Sequence, residues 1–166
     1  AGAAIEAPTP FNQGSSKVAE AAKLIDANRP DQAIEAYGAA KSAFAAATTQ
    51  ARQVTGAKSE IVNVLKRFQS GYIQKDPHLI REVYPAADTD KIFRSLKDCS
   101  KLNLTFGEIR IDLLSNGQAQ ADVASVYGCQ PKTGQSKQSS ITVSDTFRLA
   151  RRDGSWVIVS WLIPLG

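Results

Sequence analysis

Ile141-Thr142-Val143-Ser144-Asp145-Thr146-Phe147-Arg148-Leu149, closed by Asp153-Gly154 and followed by Trp156-Val157-Ile158, is the stretch whose reading decides the fold. Ile141, Val143, Phe147 and Leu149 take every second position from 141 to 149 except for Asp145, and Thr142, Ser144, Thr146 and Arg148 lie between them. That is the period of a strand with one covered face. Asp153-Gly154 supplies the pair of left-handed residues that a tight hairpin needs. The returning strand, Trp156 to Ile163, is apolar at almost every position, which predicts a strand covered on both faces and placed centrally in the sheet.

Upstream, Leu102, Leu104 and Phe106 alternate on even positions, whereas Ile109, Ile111 and Leu113 alternate on odd ones. A period of two changes phase only through an extra residue, so a β-bulge is expected at Gly107-Glu108, bending the strand. Asn116-Gly117 predicts a two-residue hairpin. Ala119, Ala121, Val123, Val126 and Tyr127 form its return strand, and Pro131-Lys132-Thr133-Gly134 the next turn. Four antiparallel strands therefore follow one another, one of them bent.

Helices come first. Ser59 is a plausible N-cap for an amphipathic helix over 59–75, with Ile61, Val62, Leu65, Phe68, Tyr72 and Ile73 at three- and four-residue steps. Asp76-Pro77 ends it and starts a short helix carrying Leu79, Ile80 and Val83. Another short helix is expected from Thr89 to Leu96, with Ile92 and Phe93 buried. Residues 15–54 predict a helical hairpin: a first helix capped by Ser15 or Ser16, a break at Pro30, and a second helix with Tyr37, Ala40 and Phe44 on one face. Residues 1–14, with Pro8 and Pro10, read as a linker or tail. Eighteen alanines fall in residues 1–58 and six in 59–166, which places the domain boundary near 58. Helices before strands make the class α+β: a bent antiparallel sheet wrapped around a long helix, preceded by an α-helical hairpin.

Two resemblances follow from these residues. Gln32 to Tyr37, followed by Ala40 and Phe44, is similar to one tetratricopeptide-like helical pair, a unit that normally stacks on others. Residues 59–166 resemble the nuclear-transport-factor-2-like (NTF2-like) superfamily, the cystatin-like α+β cone that also hosts SnoaL-like cyclases and ketosteroid isomerase. The residues that carry it run from Ile61 to Phe68, from Tyr72 to Asp76, and through Leu79 and Tyr84. Phe147, Leu149, Gly154, Trp156 and Ile158 match the family's closing F-x-L-x-x-x-x-G-x-W-x-I pattern. The resemblance implies the cone and leaves function open, because the superfamily holds enzymes, binding modules and dimerisation domains.

Composition narrows the classes. The chain has 166 residues and a net charge of +4, with 43% hydrophobic and 22% charged residues, close to globular averages, so it is neither disordered nor a disulfide-dense miniprotein. No apolar run is long enough to span a membrane. The positive charges are spread rather than clustered: Lys132, Lys137, Arg151 and Arg152 sit in hairpin turns, where they protect edges, so no nucleic-acid partner is expected. The chain contains no Met, even at position 1, which reads as a mature form after signal cleavage or a piece of something larger.

Cys99 and Cys129 are the only cysteines. Pairing about the Asn116-Gly117 turn sets Cys129 opposite Leu104, or Asn103 allowing for the bulge. Cys99 then lies about 13–17 Å further along a straight strand, at about 3.3 Å per residue. A disulfide forms only if residues 99–102 fold back. With His78 the single histidine, at a helix start, no metal-ligand cluster emerges, and no cofactor is expected.

The cone is the expected pocket, lined by Tyr72, Tyr84, Phe93, Tyr127, Asp145, Phe147 and Trp161. Asp145 interrupts the apolar face of its strand, where burial would disfavour its charge and suit it to acid/base work. No tyrosine is evidently paired with it, and no complete catalytic constellation appears. The leading expectation is a non-catalytic ligand-sensing or protein-association domain, an extracytoplasmic (periplasmic or secreted) part of a larger bacterial-type protein. Its partners would be a small apolar ligand in the cone, or a second copy through the sheet. The competing expectation is a small-molecule enzyme of the SnoaL or isomerase type with Asp145 as base.

Overall fold

The structure is a computed structural model that describes residues 2–132 and 139–162. The helices are α1 (Ala3–Glu6), α2 (Pro8–Asp26), α3 (Pro30–Gln74), α4 (Pro77–Val83) and α5 (Thr89–Arg94). The strands are β1 (Cys99–Leu113), β2 (Gln118–Pro131), β3 (Ser139–Arg152) and β4 (Ser155–Leu162). They form one antiparallel sheet in the order β1-β2-β3-β4. The chain divides into two compact units, Ala1–Ala57 and Lys58–Gly166.

In the first unit, α2 and α3 pack through small residues. Gly14 and Ala21 of α2, and Ala33, Ala36, Ala40 and Ala47 of α3, are buried. Gly14 is required by proximity: a Cβ there would stand 2.7 Å from Phe44 Cε1. The segment expected to be a tail is helical over Ala3–Glu6 and from Pro8 onward. Pro8 opens α2 and Pro10 lies in the same first turn, where backbone N–H groups have no helical partner to lose. Neither Ser15 nor Ser16 caps α2; the Ser15 hydroxyl instead donates to Phe11 O at 3.2 Å inside the helix.

A second correction concerns α3. The helix expected to begin at Ser59 is the continuation of one 45-residue helix. No proline lies between Pro30 and Pro77, and Gly56 alone costs a helix interior only about 1 kcal/mol.

In the second unit, Ile61, Leu65, Phe68 and Tyr72 form the buried stripe of α3. The helix ends where Lys75 turns left-handed (φ 54°) and Asp76 N–H donates to Gly71 O at 2.9 Å. The Asp76 carboxylate then caps α4, accepting from His78 N at 2.8 Å and Leu79 N at 3.3 Å. Ile92 and Phe93 are half-buried rather than buried.

The sheet bends where Gly107 and Glu108 of β1 oppose the single Ala124 of β2. The Asn116-Gly117 loop is one residue longer than a two-residue turn. Asn116 (φ 58°) and Gly117 (φ 68°) are both left-handed, but Leu114 N–H donates to Gln118 O around the three residues between them. Asp153 (φ 50°) and Gly154 (φ 83°) close the β3–β4 hairpin between Arg152 and Ser155. β4 is an edge strand among the described residues, not a central one. Its continuous apolar run has a different origin. Leu149 pairs with Ile158 and Arg148 with Ser160, so Val159 is an extra residue, and the strand changes its inward phase there. The Thr133-Gly134 turn, Lys137 and Ile163 lie outside the described residues.

Candidate functional site

The inward residues of β2 and β3 set the chemistry of the cone. On β2 they are Ala119, Ala121, Val123, Ser125 and Tyr127; on β3 they are Asp145, Phe147 and Leu149. Asp145 is fully buried, at 0% exposure. The Tyr127 hydroxyl donates to Asp145 Oδ2, and Trp161 Nε1–H donates to Asp145 Oδ1 at 3.2 Å. The carboxylate thus has a donor on each oxygen, the arrangement a buried acid group needs. The expectation that no tyrosine pairs with Asp145 is overturned.

Around this group the aromatic rings close on one another. Phe68 meets Phe147 at 5.4 Å and Trp161 at 5.1 Å between centroids, both edge to face. Trp161 stacks on Phe147 at 6.1 Å and on Tyr127 at 6.5 Å. Tyr72 meets Tyr127 edge to face at 5.5 Å, and Phe106 meets Phe147 at 6.1 Å. Such contacts add about 0.5–1.5 kcal/mol each beyond burial.

Both phenols are held protonated. Burial first, and then the Asp145 charge, push Tyr72 up to about 12. Burial also raises Tyr127, aided by the hydrogen bond to Asp145, its charge, and Tyr72; a hydrogen bond from Ser125 opposes the shift. At neutral pH these side chains are donors, not bases.

Of the seven residues expected to line the cone, Tyr72, Tyr127, Asp145, Phe147 and Trp161 come together. Tyr84 and Phe93 do not. They are half-buried on the α4–α5 segment and make no ring contact with this group among the described residues. Sequence reading missed the contributions of Phe68 and Phe106 as ring partners, although both sit on the predicted apolar faces. His78 is exposed, with Nδ1 3.4 Å from Glu82 Oε1, and Arg67 holds the same Glu82. Among the described residues no three His, Cys, Asp or Glu side chains form a group that could hold a metal ion.

Cys99 and Cys129 are bonded, with Cα atoms 5.4 Å apart. Two departures from the straight register bring them together. The longer turn places Cys129 opposite Leu102, and a second irregularity lets Cys99 pair with Pro131 while skipping Ser100. The Ser100 hydroxyl donates to Gln130 O at 2.9 Å and holds this fold-back. The Lys75 ammonium donates to the carbonyl oxygens of Cys99 and Leu96.

Two hollows, of about 380 and 710 Å3, mark the helical unit. The first is lined by residues including Ala51 and Arg52, the second by residues including Gln13 and Ala39, and neither involves a cone residue.

No family model and no curated protein matches the chain. Solved structures do. An NTF2-like superfamily protein from Salmonella enterica is 16% identical with a TM-score of 0.56, covering 68% of this chain and 94% of its own. A hexachlorocyclohexane dehydrochlorinase from Novosphingobium barchaimii is 11% identical with a TM-score of 0.57, covering 68% and 92%. An uncharacterised protein with a cystatin-like fold from Caulobacter vibrioides is 13% identical with a TM-score of 0.53, covering 65% and 89%. One is an enzyme by name and the others carry no activity in theirs, so the likeness speaks for architecture alone. With its α+β order, bent four-stranded sheet and long inner helix, this chain has the NTF2-like, cystatin-like fold.

Proposed function

We propose that the cone is a non-catalytic core that serves protein association, in an oxidising, extracytoplasmic compartment. The observation that carries the reading is the state of Asp145: fully buried, with one oxygen accepting from Tyr127 and the other from Trp161. A general base must reach a substrate proton directly or through one water. Asp145 instead ties β3 to β2 and β4 beneath a continuous set of ring contacts, as an internal polar pin. The two phenols nearest it are pushed away from neutral pH, which removes them as bases. The Cys99–Cys129 bond supports the compartment, since such bonds persist where thiols are not kept reduced. No helix among the described residues is long and apolar enough to cross a membrane.

A thermal-shift screen of small apolar and carboxylated ligands, with and without reductant, tests this. The expected outcome is no ligand-dependent shift and a large loss of stability under reductant. A neutral ligand that raises the melting temperature by several degrees, with the rise abolished by Tyr72→Phe, would overturn it. Ligand at about 100 times its Kd adds about 2.7 kcal/mol, well within detection.

A further inference from the structure

The helical unit carries an apolar seam left exposed among the described residues. The Phe11 and Phe44 rings touch edge to face at 5.5 Å, marking where one flank of α2 meets one flank of α3. Seven-residue steps stay on the same flank of a helix. From Phe11 they reach Val18 and Ile25; from Phe44 they reach Tyr37, and Ile34 lies one turn away. These four are exposed: Val18 39%, Ile25 53%, Tyr37 43% and Ile34 69%. Three residues past Phe11 and past Val18 comes a small residue, Gly14 and then Ala21; both are buried, and Gly14 lies against Phe44 of α3. On α3, Ala40 and Ala47 play the same part between Tyr37, Phe44 and Ala51. The small residues close the hairpin, and the large ones form a second, parallel seam on its open side. That is a heptad pattern satisfied on one side only.

We infer that this seam is a self-association surface, on which a second copy of the chain lays its own hairpin to complete a four-helix arrangement. A two-fold contact requires a self-complementary patch, and a heptad seam on antiparallel helices meets that requirement. The size also fits. The 19 residues of α2 run about 28 Å and the pair is about 20 Å wide, so two copies would cover about 1,100 Å2, just above the about 1,000 Å2 that a specific interface needs. The outer face of the sheet offers less. It presents Asn103, Thr105, Arg110, Thr142, Ser144 and Arg148, all polar and exposed, around Val126 and Val157, which are half-buried.

The inference rests on reading the protein as an association module, but not on the inertness of its cone. The test is the solution mass of the full chain against concentration. Wild type should sediment at twice 17.8 kDa at high micromolar concentration. Val18→Glu with Ile34→Glu should weaken the dimer at least tenfold, while Thr142→Glu on the sheet leaves it intact. Both glutamates sit at exposed helical positions, and unchanged helical circular dichroism of the variant would confirm that the hairpin is kept. A monomer at every concentration, a dimer indifferent to the two glutamates, or one broken by Thr142→Glu would each overturn the proposal. Turnover or ligand binding by the cone would overturn the preceding section and leave this result standing.

Discussion

Removing one oxygen atom, in Tyr127→Phe, tests whether Asp145 is an internal pin. The ring and its contacts with Tyr72 and Trp161 remain, so packing is nearly conserved. What changes is that Asp145 Oδ2 loses its donor inside a residue with no exposure. A hydrogen bond to a charged group contributes about 1.5–3 kcal/mol, and an orphaned buried acceptor falls at the upper end of that range. The expected loss is therefore about 2–3 kcal/mol, or roughly 10 °C in melting temperature for a domain of this size. Trp161→Phe removes a longer hydrogen bond and should cost less at the carboxylate. Urea unfolding of both variants, of Asp145→Asn and of the Tyr127→Phe/Asp145→Asn double variant closes a cycle. A coupling energy of at least about 1 kcal/mol is expected for side chains in direct contact. If Tyr127→Phe stays within about 0.5 kcal/mol of wild type with no coupling, water reaches Asp145 and the carboxylate is available to a substrate. The enzyme reading would then be the better one.

Reduction of the Cys99–Cys129 bond, or Cys99→Ser with Cys129→Ser, opens a loop of sequence separation 30 and should cost about 3.6 kcal/mol in the chain-entropy model, read by chemical denaturation. Two glycines of the helical unit should respond with opposite sign in thermal melts. Gly38→Ala has nothing within 4 Å of its new methyl and should gain about 0.5–1 kcal/mol. Gly14→Ala drives a Cβ against the Phe44 ring and should lose about 1–3 kcal/mol. Stability should also fall in strong alkali. Tyr72 titrates at about 12 when folded and near 10 when unfolded, so between these values the unfolded chain holds fewer protons and is favoured as pH rises. The fall should be present below pH 12 in wild type and reduced in Tyr72→Phe, as read by circular dichroism; an unchanged profile would discount the burial of this phenol.

What could be read from the sequence was local. The bulge at Gly107-Glu108 is visible because two alternating runs differ in phase, and a period of two records every inserted residue. Tight hairpin signals exist at Asn116-Gly117 and Asp153-Gly154. The α2–α3 break is visible because Pro30 is incompatible with a continuing helix. The errors came where one physical pattern has two causes. A proline near the start of the chain marks an irregular tail or the first turn of a helix, and Pro8 and Pro10 are the second kind. A run of apolar residues marks a central strand or an edge strand that changes face, and β4 is the latter.

The candidate site was legible residue by residue but not as an arrangement, and register explains why. Asp145 announces itself as the one charge on an apolar face. Its partners do not, because neither Tyr127 nor Trp161 lies directly across from it. Tyr127 pairs with Ile141 and Val123 with Asp145, so the phenol reaches along the sheet rather than across it. Seven residues, 132–138, separate β2 from β3 in the chain, so no two-residue turn motif states that register. For Trp161 the obstacle is one residue. Continued from the Asp153-Gly154 turn without a bulge, β4 would set Trp161 opposite Thr146, on the outward phase; the extra Val159 sets it opposite Phe147 and turns its indole N–H toward Asp145. Deleting Val159 should therefore reverse the face of Trp161, strip Asp145 of a donor and break the Phe68–Trp161 and Phe147–Trp161 contacts together. The expected result is a loss of tryptophan near-ultraviolet dichroism with the sheet signal retained, and an indole that stays in its buried environment would refute the account.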